Sequence, residues 1–179
     1  MPQVVQAIQF QPAVVEDTGV GFAEGFEDFF ELEHERLLRA LYVITGNRSE
    51  AEDLMQDAFV KVLERWDSIQ LMDDPTGYLY RTAMNAFRTR YRRGVMALRR
   101  IALLEPKQRD LFSDIEIQDD VRRALSALTP RQRAAIVLTV LLGYSAEDAS
   151  QIMAIRSSTV RALATQARER LRSALEGTP

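Results

Sequence analysis

Tyr78, Arg81, Asn85, Arg88 and Arg92 follow one another at intervals of three or four residues. At about 100° per residue this spacing puts all five on one face of a helix. Three guanidiniums, an amide and an aromatic ring suit nucleic acid. Arg neutralises phosphate, Asn pairs with a base edge, and Tyr stacks on an unpaired base. The same face would serve as a plain solvated surface, but residues 75–100 carry seven arginines and no acid, whereas solvated faces usually mix signs. A second stripe, Asp53, Gln56, Asp57, Val60 and Glu64, is mostly acidic with one apolar contact. By itself it reads as a solubilising face, the alternative being a docking face for a basic protein surface. A third set opens a late helix, "IRSSTVRAL" from 155 to 163. The hydroxyls and backbone N–H groups of Ser157, Ser158 and Thr159 can hold phosphate at a helix N-terminus. Arg156 and Arg161 can reach guanine edges or phosphates, and Thr165 lies with Arg161, Arg168 and Arg172 on the outward face.

These faces need helices to carry them. No apolar–polar alternation is long enough for a sheet, so the pattern predicts an all-α protein. The first helix spans roughly 26–45 and stops at Gly46-Asn47. Ser49 and Glu52 form an expected capping box for a second helix to about Trp66, with Ala51, Leu54, Met55, Ala58, Val62 and Trp66 buried. Asp74 and Pro75 open a third helix to about Arg93, buried through Leu79, Ala83, Ala86 and Phe87. The second unit has a helix to Leu128, another from Thr129-Pro130 to Leu142, and a short one over about 146–153 capped by Ser145 with Asp148. The last helix covers about 157–175, with Val160, Leu163, Ala164, Ala167, Leu171 and Leu175 packed inward. A short helix, the tight connection "MAIRSS" and a helix opening with small donors make a helix-turn-helix, which places the start of its second helix in the DNA major groove. The predicted domains are a tail 1–25, a helical unit 26–93, a linker 94–117 that enters an acidic block (residues 101–120 hold six acids and two bases), a helix-turn-helix unit 118–175 and a short tail 176–179.

The net charge of −3 hides this organisation, because basic and acidic blocks alternate along the chain. A polyanion responds to local potential, since salt screens charge beyond roughly 8–10 Å. With no cysteine there is neither a disulfide nor a thiolate metal site, and no convergent set of carboxylates suggests a metal or cofactor. The single histidine, His34, lies in the polar stretch "FELEHERLL" and reads as solvated. No P-loop, dinucleotide fingerprint or plausible catalytic pair is present, so an enzyme is not expected. The N-terminal stretch lacks the basic start of a signal peptide and no apolar run approaches a membrane span, so a cytoplasmic location is expected.

"AEDLMQDAFVKVLERWD" followed by "YLYRTAMNAFRTRYRR" resembles region 2 of the bacterial sigma-70 superfamily. "LTPRQRAAIVLTVLLGYSAEDASQIMAIRSSTVRALATQARERLR" resembles region 4. Two such regions and a short linker are similar to the extracytoplasmic-function, or group IV, sigma factors. The resemblance implies a region 2 helical bundle and a region 4 helix-turn-helix, and a transcription initiation factor that binds core RNA polymerase and helps melt promoters. It implies that Asp53, Gln56, Asp57 and Val60 meet the clamp helices of the β′ subunit. Tyr78, Arg81, Asn85, Arg88 and Arg92 would contact the −10 element, and the loop "DSIQLMDD" would capture a flipped base. Arg156, Ser157, Ser158, Thr159, Arg161 and Thr165 would read the −35 element, region 4 would touch the β flap, and the linker would run toward the RNA exit path. An anti-sigma factor is a common partner in this family. The chain departs from the family pattern at Thr89, at Ala149-Ser150, and at Ala154, where a turn glycine is frequent. The rival reading is a helix-turn-helix regulator that binds duplex operators without joining polymerase; it leaves the acidic stripe and the arginine helix unused. The alternating charge further predicts weak promoter binding by the factor alone.

Overall fold

The structure, a computed structural model, describes residues 25–100 and 119–176, without the side chains of 94–100, 119 and 176. The expected tail up to residue 24, the linker from 101 onward and the last three residues lie outside the described residues. Every regular element among the described residues is helical. The first unit comprises α1 (Phe26–Thr45), α2 (Arg48–Leu63), the single turn α3 (Trp66–Ile69) and α4 (Pro75–Arg100). The second comprises α5 (Asp119–Ser126), α6 (Pro130–Ile136), a π-helical segment (Val137–Leu141), α7 (Ala146–Met153) and α8 (Ser157–Glu176).

Local chemistry accounts for the boundaries. α1 ends where Gly46 takes a left-handed conformation (φ 72°) and donates its N–H to the Tyr42 carbonyl at 2.7 Å. The expected Ser49–Glu52 box is not what starts α2. Asn47 is the capping residue, its Oδ1 accepting the Glu50 N–H at 2.8 Å, which leaves Ser49 inside the helix. The Asn side chain reaches the third N–H from an extended backbone, as N-caps do, so the helix begins one residue before Ser49. α2 also ends before Trp66, which begins α3. Asp74 caps α4 as expected (Gly77 N to Oδ1, 2.7 Å), but the helix runs to Arg100, so the first seven residues of the expected linker are helical. Thr129 and Gln132 form a reciprocal capping box on α6. The expected continuous helix to Leu142 instead widens at Val137: the Leu142 N–H reaches back five residues to the Val137 carbonyl at 2.9 Å. Ser145 caps α7, accepting the Asp148 N–H at 3.0 Å.

In the first unit α1 packs on α2 and α2 on α4; in the second, α5, α6 and α7 pack on α8. Leu37, Leu41, Leu54, Val62, Ile69 and Leu79 fill the first core, and Leu138, Val160, Ala167 and Leu171 the second. Phe26, Phe29 and Phe30 of α1 gather around Phe59 and Trp66, with ring centroids as close as 4.8 Å. The units also meet each other. α7 lies across α4 and α6 contacts α1, so one apolar cluster runs through both.

Two charged residues are buried against expectation for helical surface positions. Glu33 is 2% exposed and accepts hydrogen bonds from Thr76 Oγ1 and Arg36 Nη1, each at 3.3 Å. Burial pushes its carboxyl above the ordinary range, against the opposing pull of Arg36. Arg133 of α6 is also 2% exposed; burial lowers its pKa to about 10, opposed by Glu50 and Tyr91 of the other unit. His34 is not simply solvated: its ring is half-buried, stacks on Phe30 at 5.0 Å, and donates from Nδ1 toward the Phe30 carbonyl at 3.0 Å.

Candidate polymerase and DNA interfaces

On α2 the inward stripe is Ala51, Leu54, Ala58 and Val62, joined by Phe59, while Met55 is only half-buried. That packing turns Asp53, Gln56, Asp57, Val60 and Glu64 outward, all exposed. Val60 is 56% exposed, an apolar side chain among carboxylates. Sequence reasoning missed Arg90 of α4, which bridges this stripe: Nη1 lies 3.3 Å from Asp53 Oδ2 and Nη2 2.7 Å from Asp57 Oδ2. These ion pairs are solvent-facing and worth about 0.2–1 kcal/mol each, so an incoming cation can replace Arg90. No spacing rule links residues 53, 57 and 90; only the packing of α4 on α2 does.

On α4, Leu79, Tyr80, Ala83, Met84 and Phe87 are buried, and Ala86 half-buried. Arg81, Asn85 and Arg92 are exposed, with Tyr78 and Arg88 half-buried. Two of the arginines already have partners in the second unit. Arg81 Nη2 donates to Gln151 Oε1 at 3.4 Å, and Arg88 Nη1 to the Met153 carbonyl at 3.1 Å. Tyr78 also lines a cleft of about 550 Å³ with Leu63, Trp66, Ser68, Ile69 and Met72, within the range of small-ligand pockets. This cleft includes part of the loop "DSIQLMDD" and joins it to the Tyr78 end of the stripe.

In the second unit α7 packs through Ala149, Ile152 and Met153, and Ser150 turns its hydroxyl back to the Glu147 carbonyl at 2.6 Å. The turn is closed by Ala154 in a left-handed conformation (φ 49°), the only positive-φ residue other than glycine among the described residues. α8 follows with Val160, Ala164, Ala167 and Leu171 buried and Leu163 half-buried. Arg156, Ser158, Thr159, Arg161, Thr165, Arg168 and Arg172 are exposed, and Ser157 is half-buried. Arg161 pairs with Glu147 of α7. Among the described residues no group of His, Asp or Glu is arranged to hold a metal ion.

A helical bundle with an acidic outward helix and an arginine-rich helix, followed by a helix-turn-helix, has the architecture of a DNA-binding transcription factor. The chain matches the family models "Sigma-70 region 2" over residues 29–95 and "Sigma-70, region 4" over 118–171, together about two thirds of its length. It is 32% identical to the ECF RNA polymerase sigma factor SigE of Mycolicibacterium smegmatis, over 91% of this chain and 66% of that protein. It is 29% identical to the ECF RNA polymerase sigma factor SigM of Mycobacterium tuberculosis, over 82% of this chain and 74% of that protein. Its fold resembles that of the sigma factor RpoE from Bartonella quintana, solved with the anti-sigma factor NepR, with a TM-score of 0.69 and 24% identity over 88% of this chain and all of that one. The chain belongs to the sigma-70 family, in its extracytoplasmic-function group. It is a transcription initiation factor, with RNA polymerase and promoter DNA as its partners.

Proposed function

We propose that the chain divides its work among three exposed faces and performs no catalysis of its own. Asp53, Gln56, Asp57 and Val60 dock on the β′ clamp helices of core RNA polymerase, where basic residues displace Arg90 and Val60 supplies an apolar anchor. Tyr78, Arg81, Asn85, Arg88 and Arg92 contact the −10 element, and the cleft beside Tyr78 receives a base extruded from the non-template strand. Unstacking a base costs a few kcal/mol, and capture in a pocket offsets it. Arg156, Ser157, Ser158, Thr159, Arg161 and Thr165 read the −35 element in the major groove, and the second unit contacts the β flap. The unit 26–93 thus serves polymerase and the −10 element, and the unit 118–175 the −35 element. The factor works in the cytoplasm; no helix among the described residues is long and apolar enough to cross a membrane. The Bartonella protein was solved with an anti-sigma factor, and we extend that class of partner to this chain.

The observation that carries this reading is the exposure of the acidic stripe on α2, whose side chains α2 turns away from its own core. An operator-binding regulator has no use for it. The test is run-off transcription with core polymerase, comparing the wild type with a double charge reversal, Asp53→Arg with Asp57→Arg. Transcripts from the wild type and their loss in the variant, with the variant still binding duplex DNA, are the expected result. Duplex binding without any transcript from the wild type would assign the chain instead to operator-binding regulators.

A further inference from the structure

The exposed arginines of the last turn and α8 are not equivalent. Among the described residues Arg156, Arg168 and Arg172 have no carboxylate partner, whereas Arg161 donates from Nη2 to Glu147 Oε1. Glu147 is the second residue of α7 and Arg161 the fifth of α8, so the pair joins the two helices of the helix-turn-helix. The neighbouring acid does not compete for the guanidinium: Asp148 Oδ2 accepts the Ser145 hydroxyl at 2.6 Å, within the cap of α7. Both partners face solvent, with 61% of the Glu147 side chain and 58% of that of Arg161 exposed. An ion pair this exposed adds little to stability. A carboxylate is also repelled by a phosphate chain, so its place beside a DNA-contacting arginine calls for another explanation.

A guanidinium carries five N–H donors, and the contact with Oε1 uses one of them. Those left over are enough to reach the two acceptors, N7 and O6, that guanine shows in the major groove. Phosphate makes a different demand. Its attraction depends on net positive charge, and Glu147 cancels that of Arg161 at contact distance. To grip a phosphate, Arg161 would have to leave a bare carboxylate within a screening length of the polyanion. We propose that Glu147 is a positioning residue that sets base specificity in the −35 reader: by holding the Arg161 guanidinium it withdraws this arginine from phosphate and leaves it to a guanine edge. This rests on the assignment of Arg161 to the −35 element. Arg168 and Arg172, without such a partner, are left for phosphate. An unpaired arginine adds the same attraction to every sequence, whereas one confined to a base edge rewards only the matching base.

The test uses holoenzyme assembled from core polymerase and the full chain, bound to a promoter library randomised over the −35 region and sequenced after selection. Arg161→Ala should erase the base preference at one or two positions. Glu147→Gln should lower the preference at those same positions by about threefold or more and leave the others as they are. A salt titration of holoenzyme on the best-selected duplex supplies a readout that a purely structural clasp would not move. With Arg161 released to phosphate, the slope of log affinity against log salt should steepen by about 0.9 in Glu147→Gln. Glu147→Ala should behave alike, and serves if the glutamine variant does not fold by circular dichroism; failure of both to fold assigns Glu147 to the fold and overturns the proposal. Both results are required. An unchanged preference, an unchanged slope, or a loss spread evenly over all positions overturns the proposal alone, provided Arg161→Ala still erases its positions. If Arg161→Ala erases none, the −35 assignment of Arg161 falls and the proposal falls with it.

Discussion

Ala154→Gly is the sharpest test of how the helix-turn-helix is held. Ala154 sits at φ 49° and ψ 52°, a left-handed conformation in which a β-carbon crowds the following carbonyl. For an L-residue this costs about 1–2 kcal/mol, and glycine relieves it. The exchange also frees the unfolded chain, returning about 0.4–1 kcal/mol against folding. The residue is exposed, so no packing is lost with the methyl. The net expectation is a stabilisation of about 0.5–1 kcal/mol, a rise in the melting temperature of the second unit of about 2–8 °C for a domain of this size. Differential scanning calorimetry on the full chain reads it, with Ala154→Val as the opposite arm. A β-branched residue at positive φ is a true outlier and should lower the transition below that of wild type. If glycine leaves the transition unmoved or lowers it, or if valine is tolerated as well as alanine, then strain at this turn is not a real cost and the backbone argument fails.

Two further outcomes follow from the structure. Asn47→Ala should cost about 1 kcal/mol by removing the cap on α2, while Ser49→Ala should stay within about 0.5 kcal/mol, as read by urea denaturation; equal losses at both sites would restore the Ser49 box. Glu33 provides a pH dependence. Its folded pKa is raised above 4.5, chiefly by burial, so its contribution to stability is complete below pH 4.5 and is lost as pH rises through the raised folded value. Thermal melts across that interval should show wild type losing stability relative to Glu33→Gln, and parallel curves would contradict the burial argument.

The amino-acid sequence determined the helices and their faces, because amphipathic period and terminal signals are local. Asp74-Pro75, Thr129-Pro130 and Ser145 mark starts that the folded chain uses, and Gly46 and Gly143 mark stops. The outward lie of Asp53, Asp57, Asn85 and Arg161 followed from the apolar residues interleaved with them. Near-equivalent local signals do not discriminate: Asn47 and Ser49 stand two residues apart, and both can cap a helix. The π-widening at Val137 and the continuation of α4 to Arg100 carry no clear local mark. What tertiary structure alone decided is partnership. Arg90 reaches Asp53 and Asp57, Arg88 reaches the Met153 carbonyl, and Glu33 and Arg133 are buried. Each depends on two helices crossing at a particular register. A helix's own period says which side chains share a face, and it cannot say which face of another helix will be laid against them.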